Sequence, residues 1–108
     1  YPFEKRLNES TRIKAKYPDR VPCILERSGN NIDEVNKKKY LIPRDLTVGQ
    51  FIYVIRKRLN LDSSKAIFLF FNSNMLVNTS QSIGNCYINY ADEDGFLYIN
   101  YSGENTFG

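Results

Sequence analysis

The chain has 108 residues, 15 Lys and Arg against 12 Asp and Glu, 2 Cys, and neither His nor Trp. That length suits one small domain with one core, and 42% hydrophobic and 25% charged residues mark a globular chain, not a disordered one. Without His there is no Ser-His-Asp triad, no Cys-His dyad and no His-ligated zinc, and 2 Cys are too few for a four-ligand metal site.

Pro2 suits the first position of a helix, where a missing N–H costs nothing. From Phe3 to Lys16 apolar or small residues recur at Phe3, Leu7, Ser10 and Ile13, then Tyr17, which predicts a basic helix with one narrow face ended by Pro18. Val21 to Glu26 predicts a strand, and Ser28 to Asn36 a polar turn region. Lys37-Lys38-Lys39 leads into a short strand, Tyr40-Leu41-Ile42, and Pro43 marks that strand as a sheet edge. Thr47 is an N-cap for a helix through Val48, Phe51, Ile52, Ile55 and Leu59, with Arg56, Lys57 and Arg58 in the last turn, where the macrodipole favours cations. Ile67 to Phe71 is a continuous apolar run and predicts a strand buried on both faces. Asn72 to Asn78 is expected as a loop. Ser80 to Tyr90 has helical spacing weakened by Gly84, Asn85 and Ile88. Asp92 to Gly95 is a turn, and Phe96 to Tyr101 a last strand.

The order α-β-β-α-β-(α)-β fits an α+β fold, a ubiquitin-like β-grasp with a mixed four-stranded sheet and an added N-terminal helix. Because the Ile67–Phe71 run lacks polar alternation, both sheet faces need covers. The Thr47–Leu59 helix supplies one and the N-terminal helix the other. Cys23 and Leu25 point one way in their strand while Pro22 and Ile24 point the other; Phe96 and Tyr98 oppose Leu97 and Ile99 in the same manner. A thin helix leaves apolar gaps beside it, and such gaps would be pockets.

Cys23 lies within Val21-Pro22-Cys23-Ile24-Leu25 and is expected as a buried thiol in a reduced, intracellular chain. No apolar run approaches the ~18 residues of a membrane span, and no signal-like stretch is present. The start at Tyr1 leads to the expectation that a few N-terminal residues have been removed. No glycine-rich phosphate loop is present, so an enzyme is the weakest class. The 8 Tyr and 7 Phe alternate with aliphatics at core spacing and form no base-stacking platform, which disfavours nucleic acid.

Tyr1-Pro2-Phe3-Glu4-Lys5-Arg6, Tyr17-Pro18-Asp19-Arg20-Val21-Pro22, Lys37 to Pro43, Asp45-Leu46-Thr47-Val48-Gly49-Gln50-Phe51, Ile55-Arg56-Lys57-Arg58, and Asp92 through Ser102 together resemble the autophagy ubiquitin-like modifiers. These are the proteins similar to the gamma-aminobutyric-acid-receptor-associated protein and the microtubule-associated light chains. The resemblance covers nearly the whole chain. It departs at Met75 to Thr79, where the family has a Pro-Pro-Thr-like turn, and at Ser82-Ile83-Gly84-Asn85, where the family has a well-formed helix.

The resemblance implies an N-terminal helical segment over residues 1–18, a ubiquitin-like domain over 19–101 and a flexible conjugation tail over 102–108. With no His, no metal constellation and no phosphate loop, no enzymatic activity, cofactor or metal is expected. The resemblance implies that Gly108 is activated, carried on enzyme thioesters and joined to phosphatidylethanolamine, with Phe107 and Gly108 recognised by a processing cysteine protease. Its partners would be the ubiquitin-like activating and conjugating enzymes and receptor peptides with an aromatic-x-x-aliphatic motif. It would be cytoplasmic, and on autophagosome or vesicle membranes when lipidated.

By the same resemblance Glu9, Ile13, Pro22, Ile24, Lys39, Leu41 and Phe96 line an aromatic pocket. Tyr40, Ile42, Pro43, Leu46, Phe51 and Val54 line an aliphatic one, and Arg20, Lys37, Lys38 and Arg58 meet acidic residues flanking the peptide. The residues alone support an edge strand to which an extended peptide can add. A terminal glycine carboxylate, lacking Cβ, also fits a narrow enzyme channel. A non-covalent peptide-binding adaptor in vesicle trafficking is the alternative, distinguished by whether Gly108 is required.

Overall fold

The structure, a computed structural model, describes residues 2–72 and 74–104. In chain order the elements are α1 (Phe3–Lys16), β1 (Arg20–Arg27), β2 (Lys39–Pro43), α2 (Val48–Leu59), β3 (Phe68–Phe71), β4 (Met75–Leu76), α3 (Ile83–Tyr90) and β5 (Leu97–Ser102). The strands form one mixed sheet in the order β2-β1-β5-β3-β4. β1 and β5 pair in parallel at its centre, and the other pairs are antiparallel.

Helix α2 follows from its local signals. Thr47 accepts the Gln50 N–H, and the Gln50 side chain accepts the Thr47 N–H, a complete capping box. Asn60 ends the helix in the left-handed region at φ 54°, which Asn tolerates better than most residues. Val48, Phe51 and Ile55 turn inward, joining Val21, Cys23, Leu25, Leu97, Ile99 and Tyr101 of the sheet in one buried cluster.

Two expectations need correction. The sheet has five strands, not four, because Met75 and Leu76, expected as loop, pair with Phe71 and Phe70. The turn before them uses Asn72 at φ 51°. The Ser80–Tyr90 region forms a regular helix from Ile83 despite its weak propensity. Ser82 caps it by accepting the Asn85 N–H at 3.0 Å. Its first two N–H groups, from Ile83 and Gly84, donate to the carbonyls of Leu46 (2.7 Å) and Arg44 (2.8 Å). A Cβ on Gly84 would lie 2.9 Å from the Arg44 oxygen, so the glycine that lowers propensity is what admits this approach.

The both-faces reading of the third strand holds. Leu69 and Phe71 join the main cluster, with Phe71 stacked on Tyr90 at 5.9 Å, while the intervening Phe70 is buried and stands outside that cluster. Strand β5 starts one residue later than expected and continues through Ser102.

Candidate peptide-binding site

Strand register sorts the implied site residues. Pro22 pairs with Leu41, and Ile24 with both Lys39 and Tyr98, so these five side chains share the face opposite the core. Helix α1 crosses that face. Its Glu9 receives the Lys39 ammonium at 3.1 and 3.2 Å on the two carboxylate oxygens. Ile13, Ile24 and Leu41 are half-buried, and Pro22 is buried. A cavity of about 640 Å³ opens along α1, lined by Glu9, Arg12, Ile13, Ala15, Lys16 and Tyr17 and by no residue of β1 or β2. Strand β2 is the sheet edge and has a neighbouring strand on one side only among the described residues. Phe96 is 3% exposed, so it supports this face from beneath and is not an open wall.

The aliphatic set divides. Tyr40, Ile42 and Phe51 are buried in the main cluster, with the Tyr40 and Phe51 rings edge to face at 5.3 Å. Leu46 is half-buried and Val54 exposed, so these two form what surface there is, while half-buried Pro43 falls by register on the face of Leu41. The four cations divide as well. The Lys37 ammonium lies 4.9 Å and the Arg58 guanidinium 5.6 Å from the Tyr40 ring centroid. Arg20 donates to the Leu41 carbonyl at 3.3 Å, and Lys38 is exposed. Three cations therefore border β2 with a defined placement. Gly108 and Phe107, the implied conjugation and protease-recognition residues, lie outside the described residues.

A clamp that the sequence did not disclose holds α1 in place. Asp94 in the turn before β5 is fully buried. Its carboxylate receives the Arg6 guanidinium at 2.9 Å, the Tyr98 hydroxyl at 2.5 Å and the Phe96 N–H at 2.9 Å. Burial pushes its pKa up, but the bonds from Tyr98, Phe96 and Arg6 outweigh burial and hold it below the usual carboxylate range. Burial and the same carboxylate push the Tyr98 phenol up to about 12. Ser10, also fully buried, donates to the Asp94 carbonyl at 2.5 Å. Gly95 beside it has φ +86°, and any Cβ there would collide with Ser10. Ser10 was legible as the small residue on the narrow face of α1, but its partner 84 residues away was not.

The gap on the other side of α1 differs from the apolar pocket expected there. Its cavity of about 400 Å³ is lined by Arg6, Glu26, Tyr98 and Asn100, so it is polar. Both cysteines are buried and unpaired, and burial raises the pKa of each thiol, as expected for Cys23. Among the described residues no group of three or more His, Cys, Asp and Glu side chains could hold a metal, and no helix is long and apolar enough to cross a membrane.

A mixed five-stranded sheet crossed by α2, with α1 added on the opposite face beside an edge strand, defines a ubiquitin-like domain. Residues 5–108 match the family described as autophagy protein Atg8, ubiquitin like. The chain is 56% identical over 108 residues to autophagy-related protein 8b of Arabidopsis thaliana, covering 99% of this chain and 88% of that protein. It is 56% identical over 109 residues to autophagy-related protein 8 of Pichia angusta, covering 100% of this chain and 86% of that one. Among solved structures it is similar to Trypanosoma brucei ATG8, with TM-score 0.89, 43% identity and coverage of 100% of this chain and 93% of that one. It is also similar to Plasmodium falciparum Atg8 in complex with a Plasmodium falciparum Atg3 peptide, with TM-score 0.88, 34% identity and coverage of 99% and 94%. The chain belongs to the Atg8 family and is an autophagy ubiquitin-like protein.

Proposed function

We propose that this protein is a modifier joined through Gly108 to phosphatidylethanolamine on autophagosomal membranes, where it recruits cargo receptors and adaptors through aromatic-x-x-aliphatic peptides. The observation that carries the peptide reading is edge strand β2, with Lys39 and Leu41 on the α1 face and Tyr40 and Ile42 on the opposite one, where Leu46 is half-buried and Val54 exposed. An extended peptide added to this edge sends alternate side chains to opposite faces, so an aromatic and an aliphatic residue three positions apart reach the two sides. The Lys39–Glu9 pair spans the aromatic side, and an acidic peptide residue would compete with Glu9 for Lys39. A relative in complex with an Atg3 peptide supports a conjugating enzyme as one partner.

Conjugation would proceed by adenylation of the Gly108 carboxylate, transfer to an enzyme thiol, and attack by the lipid amine with release of that thiol. A processing cysteine protease would expose the glycine where precursors extend past it. The chain itself supplies substrate and docking surface and performs no catalysis. Two acyl chains then anchor the domain, where one would hold it only marginally.

Liposomes containing phosphatidylethanolamine, incubated with the activating and conjugating enzymes and ATP, test this. The full chain gains the mass of the phospholipid, and a chain lacking Gly108 stays in solution and still binds an acidic aromatic-x-x-aliphatic peptide. Ile24→Ala, at a half-buried wall, weakens that binding in calorimetry more than it lowers stability. Covalent attachment without Gly108 would refute the conjugation reading. Unchanged peptide affinity in Ile24→Ala would refute the pocket assignment, and absence of lipid adduct on the full chain would leave the non-covalent adaptor.

A further inference from the structure

The segment between β1 and β2 holds the end of β5. Asn31 is exposed there, yet its Oδ1 accepts the Gly103 N–H at 2.9 Å, 72 residues further along the chain. The Ser102 hydroxyl lies 3.4 Å from the same oxygen and accepts the Glu104 N–H at 3.1 Å. Gly103 is pressed against the segment: a Cβ there would lie 3.0 Å from the Asn31 carbonyl oxygen and 3.6 Å from Ile32 Cβ. The segment is itself anchored. The Tyr101 hydroxyl accepts the Val35 N–H at 2.8 Å and donates to the Asp33 carbonyl at 3.1 Å, and Arg27 donates to the Ile32 carbonyl at 3.1 Å. A surface asparagine thus ties the last described residues to a loop fixed from below.

We infer that Asn31 is a positioning residue that sets the point from which the C-terminal residues leave the domain, and with it the reach of Gly108. The inference rests on the conjugation reading above. Four residues follow Glu104 in the sequence. At ~3.5 Å per extended residue, a departure point held at Glu104 keeps Gly108 within about 14 Å of it. Opening the latch moves that point back toward Ser102 and adds about 7 Å of reach. It also adds backbone conformations that an enzyme must remove to engage the glycine. The cost falls on productive encounter and not on the acyl transfer, because no group at Gly108 changes.

The test uses the full chain with its activating and conjugating enzymes, at varied chain concentration. Asn31→Leu removes the acceptor at similar size, Asn31→Asp keeps an acceptor, and Gly103→Ala presses the latch open from the other side. In Asn31→Leu and Gly103→Ala, Gly103 amide exchange should quicken at least tenfold. KM for the chain should rise about fivefold with kcat and receptor-peptide affinity unchanged, and Asn31→Asp should behave as the parent. A fast Gly103 amide with parental KM overturns the inference and leaves the conjugation reading intact. So does a fall in kcat at parental KM, or a Gly103 amide indifferent to Asn31. A parent chain that is never conjugated overturns both.

Discussion

On the α2 and α3 side of the sheet, Leu25, Leu97 and Ile99 are fully buried against Phe51, Ile55 and Ile83. On the α1 side, the contacts among the described residues that hold the helix include the Ser10 hydroxyl, an ion pair onto buried Asp94 and another onto Lys39, while Phe3 and Leu7 of the same helix are 42% and 37% exposed. Apolar area is non-directional and tolerates little change once packed. A few directed polar bonds fix where a helix sits and leave its apolar side chains uncovered. The two faces therefore divide labour: one supplies stability, and the other positions α1 over Pro22, Ile24 and Leu41 with space beside it.

Breaking the core side gives the largest effect. Phe51→Ala should cost about 3–5 kcal/mol in chemical denaturation, the range for a truncated core aromatic. A loss under ~1 kcal/mol, with weakened peptide binding, would place Phe51 in a pocket wall, as the family resemblance implied, and not in the core where it is found.

On the clamp side, Asp94→Ala leaves the Tyr98 hydroxyl and Phe96 N–H without their acceptor, at about 1–3 kcal/mol. Amides of α1 should exchange faster while those of β1 and β5 stay protected. The same variant sharpens the comparison with pH. Asp94 titrates below its ordinary value, so its contribution is complete above the ~3.9 of an unfolded aspartate and is lost as pH falls through the lowered value. The stability gap between parent and Asp94→Ala should stay constant from neutral pH down to that range and close below it. A gap that widens on acidification would contradict the clamp.

Smaller again is Tyr40→Phe. The Tyr40 hydroxyl is buried and has no hydrogen-bond partner among the described residues, and burial raises its pKa. Removing it should raise stability by up to about 1 kcal/mol, or leave it unchanged, since the desolvation cost goes with it. A clear loss in thermal denaturation would show that the hydroxyl has a partner. The smallest stability effect, within about 0.5 kcal/mol, is expected from replacing Lys37, Lys38 and Lys39 with Ala, because exposed pairs contribute little. The same change should flatten the salt dependence of acidic-peptide affinity, read by calorimetry between low and physiological ionic strength.

Local signals accounted for much of this. The α1 bounds, the Thr47 cap, the β2 edge and the doubly buried β3 all follow from spacing, capping and Pro43. Helix α3 was underestimated because Gly84 counts against a helix by propensity, while its benefit is a contact with Arg44. Met75 and Leu76 were missed because a two-residue strand has no period to detect, and only β3 as partner defines it. Alternation put Lys39 and Leu41 on one side of β2 and Tyr40 and Ile42 on the other, while Pro43 falls with Leu41 and not with the aliphatic set. How deeply each residue lies was not legible, and Tyr40, Ile42, Phe51 and Phe96 proved to be buried.

The sequence by itself determined the α+β order, the edge position of β2 and the separation of Lys39 and Leu41 from Tyr40 and Ile42. Each of these depends on residues within a few positions of one another, where backbone geometry and side-chain period act directly. Only the tertiary structure decided that Asp94 gathers Arg6, Phe96 and Tyr98, that Ser10 meets the Asp94 carbonyl, and that Asn31 holds Gly103. Each of these includes a contact between residues more than 70 positions apart, and a polar side chain carries no mark of a distant partner until the sheet brings the two together.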